Sequence, residues 1–168
     1  VVVARFLAIN GALDLNFSTV GTNGIARASV VNGASSDAAN ATLIQSDGKI
    51  VIAGYSIFGG VRSLLLMRFT SLGVLDTAAS FGGANTGIYT SSSMYFASAM
   101  TQQTDGKLVV VGPVINTNED FGVARFDVNG VLDSTFGGSG VVSASLGSFN
   151  DRPQAVALQS DGKIVVVG

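Results

Sequence analysis

A chain of 168 residues is long enough for one or two domains with a sizeable core, and its 47% apolar and 12% charged residues are not those of a disordered chain. A net charge of −2 with no basic run excludes the phosphate-neutralising stripe of a nucleic-acid binder and a polybasic membrane patch, and no apolar run reaches the 18 or more residues of a membrane-inserted helix. The absence of histidine and cysteine removes Ser-His-Asp and Cys-His nucleophiles and the usual zinc ligand sets, while 22 glycines and two prolines favour short strands joined by tight turns.

The opening run VVVARF predicts a strand ending near Arg5, and its start at Val1 without Met or leader reads as an excerpt or a processed piece. Asn10-Gly11 turns the chain, and GALDLNF follows with Asp14 and Phe17. Asp37 comes shortly before a predicted strand at Ala41 to Gln45. SDGK then turns it into IVIAG, because Asp-Gly between apolar runs is a strong hairpin signal. The run is apolar without alternation, as a strand buried on both sheet faces requires. SIFGGVRSLLLMRF supplies a third strand ending at Arg68, Leu72-Gly73 a turn, and GVLDTAASF the Asp76 and Phe81 that answer Asp14 and Phe17.

The same order then returns. Tyr95 and Phe96 precede a strand at Ala99 to Gln103; TDGK and LVVVG follow, then Glu119, Asp120 and VARF with Arg125. Asn129-Gly130 leads to GVLDSTFGG with Asp133 and Phe136, and VVSAS (Val141 to Ser145) makes a fourth strand. After Asp151, AVALQ, SDGK and IVVVG open one more unit. Gln45, Gln103 and Gln159 are spaced by 58 and 56 residues, and Arg5, Arg68 and Arg125 by 63 and 57. Such a period means one local folding problem solved repeatedly.

Four antiparallel strands per unit with both faces buried predict an all-β fold, a β-propeller segment with four-stranded blades of about 57 residues. A β-trefoil-like closed three-unit fold is the alternative. The expected divisions are 1–34, the second half of a blade; 35–92 and 93–148, full blades; and 149–168, the first half of another. The half units are complementary, so the expected partners are other copies of the chain or adjoining blades of a longer one.

The phrases QSDGKIVIAG, VARFDVNGVLDSTFGG and NDRPQAVALQSDGKIVVVG resemble the delta-60 repeat, a bacterial family similar to β-propellers with no assigned biochemical activity. The resemblance covers essentially the whole chain and implies an extracellular or cell-surface setting. The second unit departs from the pattern: its connections are longer, and SSSMYFASAM stands in place of the more polar NDRPQAVAL.

Most carboxylates recur with the period, which points to structure, not catalysis. Asp47, Asp105 and Asp161 occupy the turns, and Asp14, Asp76 and Asp133 the LD phrases, where pairing with the unit's own Arg is the expected role. Lys49, Lys107 and Lys163 read as solvated residues after a turn, and Phe17, Phe81 and Phe136 as wedges between blades. Asp37 and Asp151 lie eight residues before a repeated Gln, with Tyr95 in the equivalent place, where oxygen ligands could hold calcium at a channel mouth; local strand capping is the competing reading. A non-enzymatic structural or binding module follows, with no required cofactor. A carbohydrate- or protein-binding module using Tyr95, Phe96 and Phe58 is an alternative, and a hydrolase using Asp37, Asp151, Glu119 or Asp120 a more distant one.

Overall fold

A computed structural model describes residues 1–18, 24–31, 35–78, 80–83 and 85–168. Among the described residues, twelve strands form four antiparallel sheets. β1 (Val2–Ala4) pairs with β2 (Ile25–Arg27). β3 (Ser36–Ile44), β4 (Ile50–Phe58), β5 (Val61–Phe69) and β6 (Ile88–Ser91) make the first complete blade. β7 (Ala99–Gln102), β8 (Leu108–Ile115), β9 (Glu119–Phe126) and β10 (Val141–Ala144) make the second, and β11 (Ala155–Leu158) pairs with β12 (Ile164–Val167). The all-β propeller segment therefore holds, and the trefoil alternative does not, because each complete repeat makes its own four-stranded sheet. The expected limit at residue 34, and Ala79 within the DTAASF insertion, lie outside the described residues. Among the described residues no helix is long and apolar enough to cross a membrane.

The unalternating runs are explained by two cores, one on each face of the first complete blade. Ile50, Ile52, Leu65 and Met67 pack with Val1, Val3, Phe17 and Ala26 on one side. Val51, Ala53, Leu64 and Leu66 pack with Phe81, Leu108, Val110 and Phe126 on the other. Successive residues of a strand point to opposite faces, so a strand between two blades must be apolar at every position.

The DG turns are hairpins, but not of the two-residue kind in which Asp and Gly both take positive φ. Gly48 N–H donates to Gln45 O at 2.9 Å and Gln45 N–H to Lys49 O at 2.8 Å, with Gly48 at φ +80 and Asp47 outside the left-handed region. This is a type I turn closed by a left-handed glycine, and Gly106 and Gly162 repeat it. The aspartate adds an Asx hydrogen bond: Asp47, Asp105 and Asp161 Oδ1 accept from Lys49, Lys107 and Lys163 N–H.

β3 begins earlier than the sequence suggests. A bulge at Asn40 lets it run from Ser36 against the full length of β4, which places Asp37 inside the strand, opposite Ser56. The bulged side chain reaches the next blade, donating to Ala97 O at 2.8 Å.

Candidate functional site

The repeated charged residues converge on one clasp in each unit. Strand three presents an arginine, and the LD phrase folds back beside it because the arginine's own carbonyl accepts the aspartate's N–H, at 2.8 to 2.9 Å in all three units. Arg5 Nε then lies 2.8 Å from Asp14 Oδ2, Arg68 Nε 2.8 Å from Asp76 Oδ2 and Arg125 Nε 2.9 Å from Asp133 Oδ2. Each guanidinium also covers an aromatic ring, Phe17 at 4.7 Å, Phe81 at 4.4 Å and Phe136 at 4.8 Å from the centroid.

The clasp extends to the following blade. Arg5 Nη1 donates to Ser71 O at 2.7 Å and Arg68 Nη1 to Val128 O at 3.0 Å, each carbonyl lying in the next blade's turn. Beside it the wedge seats: a Cβ on Gly73 would meet Phe17 ring atoms at 2.7 Å, and one on Gly130 would meet Phe81 at 2.5 Å. Glycine is required twice at each turn, for positive φ and for the ring. Phe17 and Phe81 are fully buried wedges between blades, as expected from their period.

The lysines do more than the sequence suggested. Lys49 Nζ lies 3.6 Å from Asp76 Oδ2 and Lys107 Nζ 3.1 Å from Asp133 Oδ2, so each hairpin turn is tied to the LD phrase of its own blade. The chain's only three lysines all follow DG, and that was the available signal. The Thr135 hydroxyl, then the Lys107 ammonium, hold the Asp133 carboxyl well below the usual carboxylate range.

Asp37 and Asp151 share a different device. Asp37 Oδ2 accepts from Val30 N–H at 2.9 Å and from Ser35 Oγ at 3.1 Å, and Asp151 Oδ2 accepts from Leu146 N–H at 3.0 Å. Both carboxylates therefore hold the segment arriving from the preceding sheet's outermost strand. Burial raises the Asp37 carboxyl, but hydrogen-bonding groups outweigh it and leave it below its ordinary value. Ser56 favours the charged form, although neither Asp37 Oδ1 nor Ser56 Oγ makes a hydrogen bond of standard geometry. Tyr95 offers its main chain instead, N–H to Pro113 O at 2.9 Å. Among the described residues no three acids gather as a metal-binding group.

Glu119 and Asp120 are neighbours on β9 and alternate across the sheet. Glu119 is gripped by Arg152 through Nη2 to Oε1 at 2.8 Å and Nε to Oε2, and buried Asp120 accepts from Asn116 Nδ2 at 2.6 Å. Tyr95 and Phe96 sit together, 5.9 Å between centroids, and the Arg62 guanidinium stacks over both and over Tyr55. That cluster was not anticipated, because Arg62 belongs to no repeated phrase. Phe58 stands apart at the Gly59-Gly60 hairpin, exposed, on a cleft shared with Val30, Val31 and Val61.

A search of curated proteins finds no match to this chain. Two segments, residues 45–78 and 103–136, match the model of a family described as a domain of unknown function (DUF5122) beta-propeller, and each runs from the repeated Gln through the hairpin, the Arg strand and the LD phrase that build one clasp.

Proposed function

We propose that the chain is a non-catalytic propeller module of the delta-60 kind, serving a structural or binding role at a bacterial cell surface or outside the cell. One observation carries this reading: the repeated acids Asp14, Asp76 and Asp133 are bound by the arginine of their own unit, which leaves them committed to holding blades together. Glu119 and Asp120, on opposite sheet faces, do not form the facing carboxyl pair that glycoside hydrolysis needs. Incubation with panels of chromogenic glycosides and esters is expected to give no turnover above buffer. Turnover lost in Asp37→Asn, Asp151→Asn or Glu119→Gln would overturn it. The setting is tested by fractionating the source cells, where a purely cytosolic protein contradicts it.

No cofactor is required on this reading, since Asp37 and Asp151 serve main-chain N–H groups. Millimolar calcium should leave the melting temperature unchanged, and a rise would restore the calcium site through preferential binding to the folded state. A carbohydrate-binding role is the second reading. It rests on exposed Phe58 and its apolar cleft of about 330 Å³, because Arg62 occupies the faces of Tyr95 and Phe96. Glycan-array binding that disappears in Phe58→Ala would favour it.

A further inference from the structure

Two consecutive junctions between sheets carry a charged residue at the same place and treat it differently. Arg62 and Glu119 lie at the start of the third strand, six residues before Arg68 and Arg125, and they stand opposite the equivalent second-strand residues Ile57 and Ile115. Phe96 and Arg152 are equivalent in turn. The carbonyl of each approaches the glycine that follows an apolar second-strand run, where an added Cβ would meet it at 1.8 Å on Gly112 and at 2.0 Å on Gly168. At the later junction Glu119 and Arg152 make a two-point ion pair. At the earlier one the third-strand charge is positive and its counterpart is Phe96, which offers a ring and no carboxylate.

The surroundings of Arg62 hold its guanidinium still. The Tyr55, Tyr95 and Phe96 rings lie with their centroids 4.4, 4.9 and 5.9 Å from its Cζ. The segment that carries Tyr95 and Phe96 is bonded to both complete blades: Met94 O accepts from Leu64 N–H at 3.1 Å, Tyr95 N–H donates to Pro113 O at 2.9 Å and Ala97 N–H to Gly54 O at 2.9 Å. All eleven acids of the chain are among the described residues, and none forms an ion pair with Arg62, whereas Arg5, Arg68, Arg125 and Arg152 each have one. Its Nε is buried with no acceptor among the described residues, and Arg62 and the three rings are half-buried, so the cluster also meets solvent. A guanidinium fixed by stacking and lacking an anion is preorganised for a carboxylate, which accepts from two donors of the fork.

We infer that Arg62 binds the carboxylate of an acidic sugar, a uronic-acid residue of a saccharide. The main chain beside it is already paired with both blades, so an extended peptide finds no ladder there to continue. Recognition falls to side chains: a fixed cation, and the Tyr55 and Tyr95 hydroxyls, which make no hydrogen bond with another described residue and can donate to or accept from the hydroxyls around a sugar carboxylate. The site is separate from the Phe58 cleft. Tyr55 shares a face of β4 with Val51 and Ala53, and Phe58 lies on the opposite face with Ile50 and Ile52.

The chain has no tryptophan, and two of its three tyrosines belong to the cluster, so tyrosine emission reports binding directly. Titration of the 168-residue chain with trigalacturonic acid should give a saturable change that its fully methyl-esterified form, uncharged and of similar shape, does not give. Arg62→Met leaves an unbranched side chain between the rings without the charge, and should weaken binding by about tenfold or more. Arg62→Lys keeps the charge without the fork and should bind with intermediate strength. Phe58→Ala should bind as the wild type does. Should Arg62→Met fail to fold, the comparison of acid and ester on the wild type still decides. Equal binding of acid and ester overturns the inference, and so does undiminished binding by folded Arg62→Met or loss of binding in Phe58→Ala. No saturable change at millimolar trigalacturonic acid overturns it too, and tighter binding of a tetraglutamate peptide replaces the sugar by an acidic peptide.

Discussion

If Phe81 is a wedge that needs Gly130 beneath it, the two positions must be energetically coupled. Phe81 is fully buried, so Phe81→Ala removes the ring from the core between the complete blades and should cost about 3–5 kcal/mol. Gly130→Ala carries two separate costs. At φ +68 an alanine loses about 1 kcal/mol or somewhat more, and its Cβ, 2.5 Å from two ring atoms, forces the ring to move at roughly 1–3 kcal/mol more. Gly138→Ala isolates the first cost, since Gly138 has φ +83 and nothing within 4 Å of the added carbon. In the double variant the ring is gone and only the backbone cost remains, so it should be more stable than the sum of the singles by about 1–3 kcal/mol. Urea unfolding of the wild type, the three single variants and the double variant, at one protein concentration, measures this. Strict additivity would refute the wedge, and so would a Gly130→Ala loss no greater than that of Gly138→Ala.

Gly106→Val, at φ +88 with Val128 Cγ1 3.0 Å from the added Cβ, should cost about 1–3 kcal/mol in the same assay, and no loss would refute the hairpin geometry there. Arg68→Met leaves buried Asp76 with Lys49 as its one cationic partner among the described residues and should cost about 3–5 kcal/mol; a neutral substitution would show that Lys49 suffices. Asp133 has a folded-state pKa below its unfolded one, so its contribution is complete above about pH 4 and is lost as pH falls further. Unfolding midpoints should therefore decline below about pH 4, and Asp133→Asn should flatten that decline; an unchanged slope contradicts the assignment.

The blade was legible because three independent signals agreed in both complete units: the DG turns, the unalternating apolar runs and the Arg to LD spacing. The clasp was half legible. Pairing of Arg125 with Asp133 follows from two opposite charges that recur eight or nine residues apart, but the reach of Lys107 to that same aspartate depends on where a flexible side chain settles after folding, and no local rule fixes it. Asp37 misled for a related reason. Its distance before Gln45 assumed a short first strand, and the bulge at Asn40 lets the strand continue past it. Arg62 gave no signal at all, because a cation held by three rings from two distant segments has no spacing to read.

The seating of an aromatic in the neighbour's turn has a consequence for ring size. Strands within a blade are fixed by their ladders, so the angle between consecutive blades is set largely by how deeply Phe17 enters the turn at Gly73 and Phe81 the turn at Gly130. A propeller of about four to eight blades demands a rotation of roughly 45–90° at each junction, so a change of a few degrees repeated around the circle would favour one blade more or fewer. The two glycines thus act as a goniometer for the junctions they form: a methyl group added beneath each ring would tilt both in the same sense, turning a local steric change into a different curvature of the array.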